Sequence, residues 1–144
     1  MVVGPYASGK THMAAAMANS QATQGRPAVF VTYQDLMELF RSGNRETDER
    51  HSRALSLLRS AEFLVIDDVS PMLNTAGYFR DRFFQVFNHR WDAGLPTVLT
   101  SSADEKELDP RIKSRIFMND LCQVHVLKVD PYRGRKKGPV RRRN

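Results

Sequence analysis

Cysteine and long apolar runs are what this sequence most lacks. It has one cysteine, Cys122, in 144 residues, so an internal disulfide is excluded and a reducing compartment is indicated. No apolar run approaches the roughly 18 residues that a membrane span needs. The first residues show neither the charged nor the apolar part of a secretory signal. We therefore expect a cytoplasmic protein with no membrane partner.

Clustered histidines and internal repeats are also missing. The histidines, at positions 12, 51, 89 and 125, do not have the spacing of zinc ligands, so we predict no zinc site. Cys122 is accordingly interpreted as a small buried side chain in a strand. Hydrophobic residues make up 41% of the chain and charged residues 26%, a composition typical of one soluble α/β domain with a real core.

Acidic and aromatic residues are absent from residues 133–144, which contain seven of the 22 lysines and arginines. The rest of the chain has 15 basic and 16 acidic residues, so the formal charge of +6 comes from this basic tail. We predict a folded domain over residues 1–132 and a disordered tail over residues 133–144. Without aromatics, the tail suits contact with nucleic-acid phosphates rather than base stacking; the alternative is a solvated end.

A glycine-rich stretch, Gly4–Thr11, reads G-x-x-x-x-G-K-T, which is the pattern of a phosphate-binding P-loop. The glycines allow a tight turn that aims several backbone N–H groups at one anion. Lys10 is placed to reach the β- and γ-phosphates of a nucleotide, and the Thr11 hydroxyl to bind Mg²⁺. A run of good helix formers follows, so the loop opens a helix whose positive end faces the phosphates.

Strand and helix patterns alternate along the chain. The β-rich or apolar runs are residues 1–3, 28–33, 63–66, 97–100 and 121–129; the helical runs are residues 10–24, a helix that Asp35 caps or begins, 49–59, 78–91 and 111–118. This alternation predicts a parallel α/β sandwich, with the half-apolar last strand at an edge. The aromatic residues of 78–91 recur at helical spacing and are interpreted as core.

Two acidic residues, Asp67 and Asp68, directly follow the apolar strand 63–66. Because ligands of parallel sheets sit at the carboxyl ends of strands, we expect these residues to meet the P-loop at one edge. Asp67 would then hold the hydration shell of Mg²⁺ beside Thr11, and Asp68 would orient or deprotonate the attacking water. The alternative is a pair of helix-capping aspartates.

Hydroxyl side chains at 100–102 follow the next strand, and a basic helix follows them. A polar side chain there is placed to sense the γ-phosphate or to hold the water; the alternative is a cap on the following helix. Arg111 and Arg115 lie four residues apart on one helix face. They are interpreted either as arginine fingers for the nucleotide of a neighbouring subunit or as a solvated basic face.

Five segments together resemble the DnaC/IstB-like AAA+ ATPases, a family of replicative-helicase loaders and transposition helpers. The segments are Gly4–His12 (GPYASGKTH), Leu64–Asp68 (LVIDD), Pro96–Ser102 (PTVLTSS), Asp109–Arg115 (DPRIKSR) and Asp130–Arg133 (DPYR). The P-loop and the double aspartate are generic to P-loop ATPases. The R-I-x-S-R and D-x-Y-R segments are more discriminating, and the resemblance covers residues 1 to about 135.

The resemblance implies a P-loop NTPase three-layer sandwich with the AAA+ strand order 5-1-4-3-2 and a minimal lid or none. It implies ATP and Mg²⁺ as cofactors and ATP-controlled homo-oligomers with the nucleotide at subunit interfaces. By analogy, Asp68 stands where many AAA+ proteins have Glu, Ser102 at the first sensor position and Arg133 at the second, with Arg115 or Arg111 as the finger. The nucleotide-binding residues would be Gly4, Pro5, Tyr6, Ala7, Ser8, Gly9, Lys10, Thr11, His12 and Arg133.

Two departures from the family pattern stand out. Ser102 occupies the position where the family usually has Asn, and the N-terminal segment that commonly docks the helicase does not precede residue 1. We therefore expect a minimal or truncated member with weak activity in isolation. Three functions remain open: an ATP-dependent accessory protein that assists a replicative helicase on single-stranded DNA, a transposition helper that assists a transposase, and a non-catalytic DNA-binding remnant.

Overall fold

Five parallel strands and five helices form the part of the chain that a computed structural model describes, namely residues 1–42, 49–69, 77–103, 107–117 and 121–129. The strands are β1 (Val2–Val3), β2 (Ala28–Thr32), β3 (Phe63–Asp67), β4 (Thr97–Ser101) and β5 (His125–Val126). The helices are α1 (Lys10–Thr23), α2 (Tyr33–Ser42), α3 (Glu49–Ser60), α4 (Gly77–Asp92) and α5 (Pro110–Phe117). None of these helices has the length and apolar character that crossing a bilayer requires.

The strands form a single sheet in the order β2-β3-β4-β1-β5, which confirms the predicted AAA+ order. Every neighbouring pair is parallel. In the β3–β4 pair, Ile66 lies opposite Leu99, so the two strands end side by side. The P-loop, the end of β3 and the end of β4 therefore share the carboxyl edge of the sheet.

Helices cover both faces of the sheet, because β3 alternates its apolar side chains between two cores. On one face, Val65 packs with Ala14 and Ala18 of α1. On the other face, Leu64 and Ile66 pack with side chains from α2, α3, α4 and α5. These are the three layers of the predicted sandwich.

The aromatic side chains of α4 form the centre of the larger core, as predicted. Phe83 is fully buried and stacks on Phe87, with ring centroids 6.2 Å apart. Phe84 and Trp91 complete the row of ring contacts along the helix. Burying each of these side chains stabilises the fold by about 2 kcal/mol.

The start of α2 differs from the sequence-based expectation. The helix begins at Tyr33, and its cap is Thr32 rather than Asp35. Thr32 Oγ1 accepts a hydrogen bond from the Asp35 backbone N–H (3.1 Å) and donates one to the Asp35 carboxylate (2.6 Å). The hydroxyl at the end of β2 thus satisfies a free N–H of the first helical turn, which is the role of a helix N-cap.

The last strand is much shorter than the predicted 121–129. Only His125 and Val126 are paired, because β1 offers two residues before the chain turns into the P-loop. Cys122 was predicted to be buried within this strand, but it is only partly buried and precedes β5, although it and Val124 pack against the core; Val126 is 56% exposed. The strand does lie at an edge of the sheet, as predicted. The predictions of a minimal lid and of a disordered tail concern residues beyond 129, which lie outside the described residues.

Candidate functional site

The P-loop connects β1 to α1 at the carboxyl edge of the sheet. Gly4 donates its backbone N–H to Ser101 O (3.3 Å), which holds the start of the loop against the end of β4. Ala7 and Gly9 have positive φ values of 60° and 92°, and these bend the chain around a concave centre. A Cβ atom at Gly4 would lie 2.8 Å from Leu127 O, so only glycine fits between the loop and the segment after β5.

Lys10 lies within the loop that it is expected to serve. Its ammonium donates to Gly4 O and Pro5 O, both at 2.9 Å, and the side chain is buried. An ammonium group has three N–H donors, so one remains for an anion held by the loop. The Tyr6 ring, 76% exposed, lies beside the loop with its centroid 5.9 Å from Lys10 Nζ.

The Ser8 hydroxyl also indicates that the loop fits a phosphate. Its hydroxyl oxygen is buried and has no hydrogen-bond partner among the described residues. A buried hydroxyl without a partner is costly, and an anion at the centre of the loop would accept its hydrogen bond. The chain thus offers a cradle of backbone N–H groups, one free ammonium donor and one free hydroxyl.

Thr11 and Asp67 meet at the base of this cradle. Thr11 Oγ1 donates to Asp67 Oδ2 at 2.8 Å, although the residues are 56 positions apart in the chain. The Asp67 carboxylate is buried, whereas Thr11 is exposed. A hydroxyl and a carboxylate side by side are oxygen ligands of the type that Mg²⁺ or its water shell prefers.

Asp68 follows with an unusual backbone. Its φ is 57°, in the left-handed region that non-glycine residues rarely adopt, and its side chain is exposed. The Asp68 backbone N–H donates to Thr100 Oγ1 (2.8 Å) rather than to a helix. Neither aspartate caps a helix within the described ranges; residues 70–76, which follow the pair, lie outside them, so the capping alternative stays untested.

The three hydroxyl residues after β4 have different surroundings. Thr100 Oγ1 donates to Asp67 Oδ1 at 2.5 Å. Ser101 Oγ donates to Val69 O (2.7 Å) and accepts from the Ala103 backbone N–H (3.1 Å). Ser102, the predicted sensor, is partly buried, and its hydroxyl makes no hydrogen bond to any other described residue. Sequence reasoning singled out Ser102 and missed the contact of Thr100 with Asp67. That contact depends on the parallel register of β3 and β4, in which Ile66 lies opposite Leu99.

The two candidate finger arginines also differ. Arg111 hydrogen-bonds to Asp109 (3.3 Å) and to Asp81 (3.3 Å), and its guanidinium carbon lies 3.7 Å from the centre of the Phe84 ring. Burial would lower the pKa of Arg111, but its hydrogen bonds to Asp109 and Asp81 outweigh that effect and raise the pKa. Among the described residues, the Arg115 side chain donates one hydrogen bond, to Arg111 O at 3.3 Å.

The other predicted site residues are Arg111, Arg115, His12 and Arg133. Within the described ranges, no hydrogen bond or ion pair links Arg111 or Arg115 to the P-loop of the same chain. His12 is exposed on the first turn of α1. Arg133 and the basic tail lie outside the described residues. A cavity of about 370 Å³ between α3 and α4, lined by Leu55, Arg59 and His89 among others, lies towards the amino edge of the sheet, away from the P-loop.

Comparisons with known proteins agree with this geometry. Replicative helicase loader DnaC of Escherichia coli strain K12 is 24% identical over 139 residues, which are 94% of this chain and 56% of DnaC. The chain therefore spans little more than half the length of that relative. A structure of the replication initiator DnaA bound to AMPPCP and single-stranded DNA matches with a TM-score of 0.75, 20% identity, and coverage of 90% of this chain and 40% of that one.

A crystal structure of the DnaC helicase loader also matches, with a TM-score of 0.75, 19% identity, and coverage of 88% of this chain and 76% of that one. At these identities the structural matches show the fold, which is that of the AAA+ P-loop domains of DnaA and DnaC. The family model described as IstB-like ATP binding protein matches residues 1–137. The chain is thus a member of the IstB-like ATP binding protein family.

Proposed function

We propose that this chain binds ATP with Mg²⁺ and hydrolyses it to ADP and phosphate. The observation that carries the proposal is the hydrogen bond of Thr11 to Asp67 (2.8 Å) at the base of a loop where Lys10 keeps one donor free. The family match to ATP binding proteins and the AMPPCP in the related DnaA structure support the choice of nucleotide.

Each side chain has a distinct part in the proposed reaction. The backbone N–H groups of the P-loop and the Lys10 ammonium bind the β- and γ-phosphates. Thr11 and Asp67 hold the hydrated Mg²⁺, which when bound offsets charge on the phosphate oxygens. Asp68, exposed at the same edge, orients or deprotonates the attacking water, and Ser102 holds that water or contacts the γ-phosphate.

A neighbouring subunit completes the proposed site. No arginine of α5 contacts the P-loop of its own chain within the described ranges, and an arginine from a neighbouring subunit would add a cation to Lys10 and Mg²⁺ as charge develops on the γ-phosphate. Arg115 is the better candidate because Arg111 is already engaged by Asp109, Asp81 and Phe84. ATP then links subunits into a homo-oligomer, and Arg115 acts as an arginine finger.

The proposed cellular role is that of a DNA-replication accessory protein similar to a helicase loader. Its support is the similarity to DnaC, a replicative helicase loader, and to DnaA, whose related structure contains single-stranded DNA. The partners would be a replicative DNA helicase and single-stranded DNA. The match to an IstB-like family favours a second candidate, a transposition helper. Recovery of a transposase instead of a helicase in a pull-down would identify that function.

The test of the proposal is nucleotide binding and hydrolysis by the purified chain, with and without single-stranded DNA. Wild type should bind a fluorescent ATP analogue and release phosphate, whereas Lys10→Ala should lose binding. Arg26→Ala, at the far end of α1 from the loop, is the matched control and should behave as wild type. DNA binding that is steeply salt-dependent and indifferent to ATP, without nucleotide binding by wild type, would instead identify a non-catalytic DNA-binding remnant.

A further inference from the structure

The end of β4 holds the turn that leaves β3 through four hydrogen bonds. Thr100 Oγ1 donates to Asp67 Oδ1 (2.5 Å) and accepts from the Asp68 backbone N–H (2.8 Å). Val69 donates its backbone N–H to Thr100 O (2.8 Å), and Ser101 Oγ donates to Val69 O (2.7 Å). The last residue of β3 and the two residues after it are thereby attached to two consecutive residues of β4.

This attachment explains how Asp68 keeps a left-handed backbone. A φ of 57° is unfavourable for a residue with a Cβ atom, and it persists only where the surroundings over-determine it. Bonds to the N–H groups of Asp68 and Val69 supply that constraint. The turn leaves the Asp68 side chain exposed at the carboxyl edge while Asp67 stays buried.

The same hydroxyl sets the orientation of the Asp67 carboxylate. One carboxylate oxygen accepts from Thr100 and the other from Thr11, so the group is held from both sides. Thr100 is 0% exposed, and both its donor and an acceptor site are already used within the protein. It has no free donor for a nucleotide or a water, so it acts through the aspartates rather than on the substrate.

We propose that Thr100 is a positioning residue, whose hydroxyl aligns Asp67 for the hydrated Mg²⁺ and sets the Asp68 turn. The inference rests on the proposed ATPase function, and it gives Thr100 a role that the motif analysis did not assign to it. If Thr100 positions Asp67, loss of its hydroxyl should weaken the contribution of Mg²⁺ to nucleotide binding and leave nucleotide binding without metal unchanged. A residue needed only for packing would not show this difference.

The test compares the affinity for a fluorescent ATP analogue in Mg²⁺ with that in EDTA. Thr100→Val, which keeps the shape and removes the hydroxyl, should lose about 10-fold or more of the Mg²⁺-dependent gain in affinity. Its affinity in EDTA should stay within about twofold of wild type, because the P-loop donors are intact. Thr100→Ser should restore the gain. Thr97→Val is the matched control because it removes the other β4 threonine hydroxyl, which bonds to Arg90 at the opposite edge.

The outcomes separate the inference from the proposed function. A folded Thr100→Val variant with the full Mg²⁺-dependent gain would overturn the positioning role and leave the ATPase proposal intact. Wild type that gains no affinity from Mg²⁺ would overturn both. Should Thr100→Val fail to fold in a thermal melt, Thr100→Cys decides instead: its thiol is a weak donor, so the gain should fall below that of Thr100→Ser, and equal gains would contradict the proposal.

Discussion

The guanidinium carbon of Arg111 lies 3.7 Å from the centre of the Phe84 ring, which joins the first turn of α5 to the middle of α4. Asp109 and Asp81 bind the same guanidinium from its edges. A stacked and doubly hydrogen-bonded arginine of this kind stabilises the packing of two helices. The contact therefore distinguishes Arg111 from Arg115, the two arginines that sequence reasoning left as alternative fingers.

Arg111→Ala should therefore act mainly on stability. We expect it to lower the free energy of unfolding by about 1–2 kcal/mol, because the ring contact and two partly exposed ion pairs are lost. Urea denaturation measures this change. Arg111→Lys keeps the charge and should recover less than half of the loss, since an ammonium cannot stack and bind in a fork. A fully stable Arg111→Ala variant without ATPase activity would instead make Arg111 the finger.

Arg115→Ala should act mainly on hydrolysis. We expect nucleotide affinity within about twofold of wild type and a turnover lower by about 100-fold or more at protein concentrations that favour assembly. The control is Arg53→Ala, because Arg53 is an exposed helical arginine whose ion pair with Glu49 lies within α3. Mixing Arg115→Ala with Lys10→Ala should restore part of the activity, because each supplies the half-site that the other lacks. Equal losses of nucleotide affinity in both variants would contradict the finger role.

The fold was largely predictable from the sequence, and the site only in part. The layers follow from the alternation of strands and helices and from the P-loop after the first strand, whereas the strand order follows from the family resemblance. The meeting of Thr11 with Asp67 follows from the shared carboxyl edge of parallel strands. The contact of Thr100 with Asp67 and the engagement of Arg111 depend on strand register and side-chain packing, which residue types and spacing do not encode. The predicted length of the last strand was too great, because an alternating pattern does not reveal how few residues its partner β1 offers for pairing.

Ala7 offers a test of strain within the P-loop. Its φ of 60° disfavours any residue with a Cβ atom, so Ala7→Gly should raise the free energy of unfolding. We expect a net gain of about 0.5–1 kcal/mol after the added entropy of the unfolded glycine, seen as a rise of about 2–4 °C in Tm. Ala16→Gly, inside the regular helix α1, is the control and should lower stability by about 1 kcal/mol. A lower Tm for both variants would show that the Ala7 backbone is unstrained.

Arg90 is the buried cation on which the amino edge of the sheet depends. It is 1% exposed, and it donates to Leu58 O, Ala61 O and Pro96 O at distances of 3.0, 2.8 and 2.8 Å. Burial lowers its pKa to about 10, so the guanidinium stays charged at neutral pH. Arg90→Met should cost about 3–5 kcal/mol, because several buried carbonyls lose their donor. Calorimetric unfolding measures the cost, and a loss below that of Arg53→Ala would contradict the assignment.

The basic tail can be tested without any change to the ATPase site. If residues 133–144 contact phosphates, replacing their seven lysines and arginines with glutamine should reduce the salt dependence of single-stranded DNA binding. The slope of log affinity against log salt concentration should become less negative by up to about 5, at roughly 0.7 per phosphate contact. ATP binding by the same variant is the control and should be unchanged. An unaltered slope would mean that the tail is a solvated end.

The close approach of Leu127 to Gly4 limits how far the basic tail can extend from the P-loop. Because the segment after β5 runs against the first glycine of the P-loop, residue 133 is tethered six positions beyond a contact with the nucleotide site. At full extension those six residues reach about 20 Å. If the tail binds a polyanion, that polyanion is thereby held at a high local concentration near the phosphate loop.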